Sequence, residues 1–150
     1  MLKSKKIVSL WLPPILWASV IFTFSSLPTV ETTTFYLWDF LIKKTAHFVE
    51  YAILATLIYR ALINSKVDCK KAMLISVFAS FLYAISDEYH QSFVPGRGPA
   101  LRDVIIDTVG ATFAIYGIIP NLNKLPKFIQ DLYKRYSIVN NYWLYRCRDL

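Results

Sequence analysis

Four apolar runs, over residues 7–27, 45–63, 72–89 and 104–119, constrain this chain more than any other feature of it. About 20 helical residues cross the hydrocarbon core of a bilayer. Inside that core every backbone N–H and C=O must be paired within the protein, so runs of this length and apolarity are spanning helices. The fourth run is the shortest and begins among acids. The composition agrees: 55% of the 150 residues are hydrophobic and only 18% are charged, which excludes an ordinary soluble domain. The expectation is an all-α, polytopic membrane protein. It has a four-helix transmembrane domain over residues 1–119 and a basic, aromatic tail over residues 120–150.

The charges orient the bundle. With four spans, both termini and the loop around residues 60–71 share one side, and that side holds thirteen of the seventeen Lys and Arg residues. Cytoplasmic segments carry the Lys/Arg excess, so both termini are expected in the cytoplasm. The formal charge of +7 is thereby accounted for by topology, and no nucleic-acid partner is expected. Lys3, Lys5 and Lys6 before the first run resemble the start of a signal peptide. The run is long, however, and no small-x-small cleavage site follows, so an uncleaved helix is expected. Pro13 and Pro14 within it either kink the helix or begin its regular part. Phe35, Tyr36, Trp38 and Phe40 suit the headgroup zone. In the tail, Ile129, Leu132, Tyr133 and Tyr136 recur at helical spacing opposite Lys127, Lys134 and Arg135, the pattern of a basic helix lying on a membrane surface. Cys69 and Cys147 lack metal-ligand spacing and are expected as reduced thiols on the cytoplasmic side.

In this topology three polar stretches meet at the extracytoplasmic face. They are "KKTAHFVEY" opening the second helix, "SDEYHQ" ending the third and "RDVIID" opening the fourth. Helical spacing puts His47, Glu50 and Tyr51 on one face, Asp87 with His90 and Gln91 on another, and Asp103 with Asp107 on a third, while Glu88 points elsewhere. The turn "VPGRGPALRD" between the last two helices presents Arg97 and Arg102. Five acids face four nearby cations (Lys43, Lys44, Arg97, Arg102), so a proton, a charged histidine or a bound cation must complete the balance. Lys43, Lys44 and Glu88 taken alone are ordinary headgroup-facing residues. Ionisable residues drawn from three helices read as a site. A buried network that only holds the helices together is the alternative. Two histidines with several carboxylates could ligate a metal, but no strong metal motif is present, so the metal and any cofactor stay unknown. Ser86, Ser92 and Tyr89 carry no nucleophile signature. Gly110, Ala114 and Gly117 let a neighbouring helix pack closely.

"HFVEY" (His47–Tyr51), "SDEYHQSFVPGR" (Ser86–Arg97) and "RDVIIDTVGA" (Arg102–Ala111), preceded by "FSSLP" (Phe24–Pro28), together resemble the VanZ-like membrane proteins. The resemblance implies a small four-helix bacterial membrane protein of a family linked to low-level teicoplanin resistance. It selects His47, Glu50, Tyr51, Asp87, Glu88, His90, Gln91, Arg97, Asp103 and Asp107 as family-defining positions, without assigning them a role. The label phosphotransbutyrylase, carried by some relatives, finds no support in a phosphate-cradling loop here. Three functions follow as expectations. In the first, a polar pocket binds an anionic, lipid-linked cell-wall precursor or a lipoglycopeptide, with Arg97 and Arg102 on its anionic group. In the second, an intramembrane enzyme uses His47 or His90 as proton carrier, oriented by Glu50 or Asp87. The third is a packing scaffold. The oligomeric state is not legible, and the lipid bilayer is the one certain partner.

Overall fold

The computed structural model describes residues 2–28 and 36–136, all of them in helices or short connections. Helix α1 covers Leu2–Ser25, α2 Tyr36–Asn64, α3 Cys69–Gln91 and α4 Leu101–Thr112. The last continues through a π-helical turn, Phe113–Ile118, into a 3-10 segment, Ile119–Lys124, and α5 covers Lys127–Tyr136. Four of these are long and apolar enough to cross a membrane: Ile7–Ser25, Phe40–Asn64, Cys69–Gln91 and Leu101–Lys124. The chain is therefore an all-helical, multi-pass membrane protein. Helices α2 and α3 extend past both ends of their apolar runs, where polar turns continue the backbone pairing beyond the hydrocarbon zone.

Pro13 and Pro14 lie inside α1, so neither begins its regular part. The π-helical turn relaxes the end of α4 just before Pro120, which lacks an N–H and sits in the first turn of the 3-10 segment. At the end of α2, Val67 N–H bonds Leu62 O at 3.1 Å and Lys66 N–H bonds Ile63 O at 3.0 Å. Lys66 has a φ of 67° there, in the left-handed position usually given to glycine. This closes the α2–α3 connection in four residues, and Asp68 caps α3 by accepting from Lys71 N.

Helix α2 is central and packs against α1, α3 and α4. Two apolar clusters fill the bundle. Ile21, Tyr51, Leu54, Ala84 and Val104 form one toward the end where α2 and α4 begin. Ala55, Tyr59, Leu62, Met73, Ile115 and Ile119 belong to the other, with Trp11 against it. Gly110 sets the closest approach: a Cβ there would lie 2.3 Å from the carbonyl oxygen of Phe48. Gly117 differs, since its nearest neighbour is the ring of Phe113 on its own helix, at 3.2 Å.

Trp38 is exposed, as a headgroup aromatic should be. Helix α5 exists and carries exposed Phe128 near Lys127. Phe35 and residues 137–150 lie outside the described residues, as do the side chains of Lys3, Lys5, Lys6, Tyr36, Leu132, Tyr133, Lys134, Arg135 and Tyr136. The cysteine expectation is corrected: Cys69 is disulfide-bonded, and no described cysteine is free. The reduced state had been inferred from the compartment alone. Cys147 lies outside the described residues.

Candidate functional site

The helix starts of α2 and α4 lie beside the helix end of α3, and this polar end of the bundle carries the candidate residues. Helices α2 and α4 run parallel there, and their facing residues pair in register. Lys44 Nζ donates to Asp103 Oδ2 at 2.5 Å. One turn deeper, His47 Nδ1 approaches Asp107 Oδ1 at 3.5 Å. Then the Phe48 carbonyl meets Gly110. Lys44 and Asp103 are thus bound to each other inside the rim, with side chains only 18% and 12% exposed. Lys44 is not the headgroup-facing residue expected of it in isolation.

Helix α3 brings Asp87 against α1. Asp87 Oδ2 accepts from Ser25 Oγ at 2.8 Å and from Gln91 Nε2 at 2.8 Å. Gln91 Oε1 in turn accepts from Arg97 Nη1 at 2.9 Å. The rest of the Arg97 fork closes on the end of α1: Nε donates to Leu27 O at 3.1 Å and Nη2 to Phe24 O at 3.1 Å. Phe24 O lies in the last turn of α1, where it also accepts from the Leu27 N–H at 3.2 Å, and Leu27 O lies just past the helix end. A guanidinium is therefore well placed against the negative end of the α1 dipole. Gly96 makes this reach possible, because its φ of 79° turns the chain where a side chain would be strained.

His90 belongs to the same α1 contact rather than to Asp87. Its ring stacks on Phe22 with centroids 4.2 Å apart, and Nε2 lies 3.0 Å from Ser26 Oγ. Glu88 does point away from Asp87, yet it is buried and does not face headgroup water. Its Oε1 accepts from the Ala100 backbone N–H at 2.5 Å, and so secures the residue that caps α4. Arg102 stays at the edge with its side chain 63% exposed, 3.7 Å from Asp103 Oδ1 and over the Phe40 ring.

Beneath this rim the ties are looser. His47 Nδ1, Tyr51 Oη, Asp87 Oδ1, Asp103 Oδ1 and Asp107 Oδ1 are buried and make no well-formed hydrogen bond to the described residues. His47 Nδ1 and Asp107 Oδ1 nevertheless face each other at 3.5 Å, and Asp103 Oδ1 lies 3.7 Å from Arg102 Nε, which leaves Tyr51 Oη and Asp87 Oδ1 as the two of this group without a partner. The only other such atom among the described side chains is Arg60 Nε, near the far end of α2. Tyr51 is fully buried, and its ring lies 6.1 Å from that of Tyr83, whose hydroxyl donates to Ala18 O at 2.6 Å. Glu50 is half-buried, and no described group donates to its carboxylate. Its carboxylate lies within electrostatic range of His47, Asp87 and Asp107. Native proteins pair nearly all buried polar groups, so two partnerless atoms beside a loosely matched ion pair at one end of a bundle call for an explanation. The described residues contain no group of three His, Cys, Asp or Glu arranged to hold a metal ion.

Two participants were not among the sequence candidates: Ser25 and Ser26. The available signal for them was a pair of hydroxyls closing α1 at the same depth as the other polar stretches. Gly110 was expected from the sequence to let a neighbouring helix pack closely, and it does so against Phe48 of α2.

Fold and site together define a four-span integral membrane protein with both histidines and a cluster of acids gathered at one end of the bundle. The VanZ/LLP1 family matches residues 10–123, and the chain belongs to that family. The matched region covers all four spans and stops before α5. Neither the curated proteins nor the solved structures contain a match to the chain.

Proposed function

We propose that this VanZ-family protein binds the polar head of a lipid-linked envelope molecule or a lipoglycopeptide at the polar end of its bundle. The Lys/Arg distribution supports placing that end on the extracytoplasmic side, where cell-wall precursors and glycopeptides meet. The observation that carries the reading is the pair of buried, unpartnered atoms Tyr51 Oη and Asp87 Oδ1 beside the loosely matched His47–Asp107 pair and a Glu50 carboxylate to which no described group donates. A network built only to hold helices would be expected to satisfy its members, because each buried unpaired group costs about 1–3 kcal/mol.

The chemistry of these atoms refines the class of ligand. Asp87 Oδ1 and the Glu50 carboxylate are carboxylate oxygens, which accept hydrogen bonds. The group they receive brings donors: sugar hydroxyls, amide N–H groups or an ammonium. The donors of Arg97 are directed at Gln91, Phe24 and Leu27, so the anionic part of the ligand falls to Arg102, the more exposed of the two arginines. Protection against teicoplanin, expected from the family resemblance, fits a ligand rich in hydroxyl and amide donors.

A second reading is favoured by one feature. His47 faces Asp107, and a carboxylate behind an imidazole orients it for proton transfer. The orienting acid would be Asp107 rather than Glu50 or Asp87. An enzyme of this kind consumes its ligand, so extracts of envelope lipids would change between cells with the wild type and cells with His47→Gln.

The test is a set of variants, His47→Gln, Glu50→Gln, His90→Gln and Arg97→Gln, expressed in a teicoplanin-susceptible bacterium at matched membrane levels. Thermal stability in detergent and teicoplanin susceptibility are both measured. Binding requires that Glu50→Gln and His47→Gln lose protection while keeping wild-type stability, and that Arg97→Gln loses both. If every loss of protection follows a loss of stability, the cluster is a scaffold and the proposal fails.

A further inference from the structure

Helices α3 and α4 leave an apolar groove of about 440 Å³ on the outside of the bundle, lined by Phe81, Leu101, Ile105, Thr108, Val109 and Phe113 among others. That volume falls in the range of about 300–1,000 Å³ that small-molecule sites occupy. Its wall is chemically dry. The hydroxyls of Thr108 and Thr112 donate to Val104 O and Thr108 O of their own helix, each at 2.7 Å, and leave the groove no free donor. From Leu101 to Phe113 the helix rises by roughly 18 Å at about 1.5 Å per residue. That is a little more than half of a hydrocarbon core of about 30 Å. The groove therefore runs from the polar end to about mid-bilayer, the depth of one leaflet. A second copy of the chain, or any spanning partner helix, would need a surface twice as long.

At the polar end of this groove the charge changes. Arg102 follows Leu101 directly, and its side chain is 63% exposed. Its acidic neighbour Asp103 is already held by Lys44 at 2.5 Å, and the second acid there, Glu88, is turned inward onto the Ala100 N–H, so neither carboxylate covers the exposed side of the guanidinium. An exposed guanidinium at headgroup depth is suited to a phosphate, which it can engage through two parallel N–H donors.

We infer that the groove and Arg102 together form a binding site for a long-chain lipid with a phosphate head and net negative charge, drawn from the leaflet at the polar end. The chain occupies the groove and the phosphate sits on Arg102. This deepens the proposed function by naming where the chain and the anionic group of a lipid-linked ligand go. It rests on that reading for its biological meaning, but not for its residues, since Glu50 and the buried cluster take no part.

The full-length protein in nanodiscs or mild detergent, equilibrated with equal amounts of phosphatidylglycerol and phosphatidylcholine of the same chains, is released intact into a mass spectrometer. A basic residue near a membrane surface contributes about 1 kcal/mol toward an anionic lipid, so the wild type should retain phosphatidylglycerol about fivefold over phosphatidylcholine. Arg102→Gln should abolish the preference while still retaining lipid. Val109→Trp adds bulk at an exposed position on the groove wall, and it should reduce retention of both lipids several-fold without disturbing the fold. Glu50→Gln should keep the preference. Equal retention of the two lipids by the wild type, or a preference unmoved by Arg102→Gln and Val109→Trp, overturns the inference. So does a wild-type dimer that Val109→Trp dissociates, because a second copy would then fill the groove. Protection lost in Glu50→Gln with the lipid preference intact separates the two sites. A wild type without the preference, in which Glu50→Gln still loses protection, refutes the lipid site alone.

Discussion

Replacing Gly110 with alanine adds a single methyl group at the point where α2 and α4 lie closest. The new carbon would stand 2.3 Å from the Phe48 carbonyl oxygen, 3.0 Å from its carbonyl carbon and 3.1 Å from its Cα. All three are backbone atoms of a buried helix, so no side-chain rotation relieves the overlap and the helices must part. Overpacking of this kind costs about 1–3 kcal/mol, and a backbone neighbour puts it at the upper end. Alanine returns about 1 kcal/mol through its better helix propensity. The net loss is about 2 kcal/mol, which for a chain of this size lowers the melting temperature by roughly 4–8 °C. The damage extends beyond stability. His47 precedes Phe48, and Asp107 lies one turn before Gly110, so a parting of α2 and α4 also lengthens the 3.5 Å approach of His47 to Asp107. The assay is thermal unfolding in detergent followed by circular dichroism, with Gly98→Ala as control. A Cβ at Gly98 meets nothing within 4 Å, so that variant should melt with the wild type. If Gly110→Ala melts at or above the wild type, the close crossing of α2 and α4 is wrong.

Arg97→Lys keeps the charge but loses the fork that reaches Gln91, Phe24 and Leu27. Thermal unfolding should show a loss of about 1.5–3 kcal/mol, as for hydrogen bonds to a charged group, and a wild-type melting point would show that the clamp does not hold α1. Lys44→Met and Asp103→Asn should each destabilise the protein. In a double-mutant cycle the pair should couple by about 1 kcal/mol or more, because both side chains are largely shielded from water; additive effects would deny the ion pair. Reporter fusions should place both the C-terminus and the loop near residue 66 in the cytoplasm, as thirteen of seventeen basic residues require. A C-terminal reporter active on the outside would reverse the bundle and the face assigned to the site.

The spans were legible because apolar length in a membrane protein needs no knowledge of packing. The meeting of three polar stretches was legible because topology alone brings helix starts and a helix end to one depth. Pairing across helices was not. Helical spacing groups His47, Glu50 and Tyr51 on one face, but it cannot say which helix lies against that face, and the structure sets His47 against Asp107 of α4. Arg97 looked like a probe for an anion because a basic residue in a Pro–Gly turn is exposed by default. Only the position of the α1 end reveals that its donors are directed at Phe24 and Leu27. Ser25 and Ser26 are ordinary interface residues until α3 is laid beside them and Asp87 and His90 come within reach. Glu88 shows the same limit: its spacing tells that it leaves the Asp87 face, not that it closes on the Ala100 N–H twelve residues later. The Cys69 disulfide was missed because compartment was used in place of geometry.

The claim that the polar end is a binding site, and not a scaffold, is tested most directly by the thermal unfolding of Glu50→Gln without any ligand. Glu50 accepts no hydrogen bond from the described residues and lies among His47, Asp107, Asp87 and Arg97. Neutralising it relieves the cost of burying a charge and the repulsion of two acids, gives up the attraction of His47 and Arg97, and removes no hydrogen bond between helices. A binding site predicts that Glu50→Gln melts at or above the wild-type temperature. A fall of several degrees would mean that Glu50 holds the helices together, and it would contradict the reading of this cluster as a site.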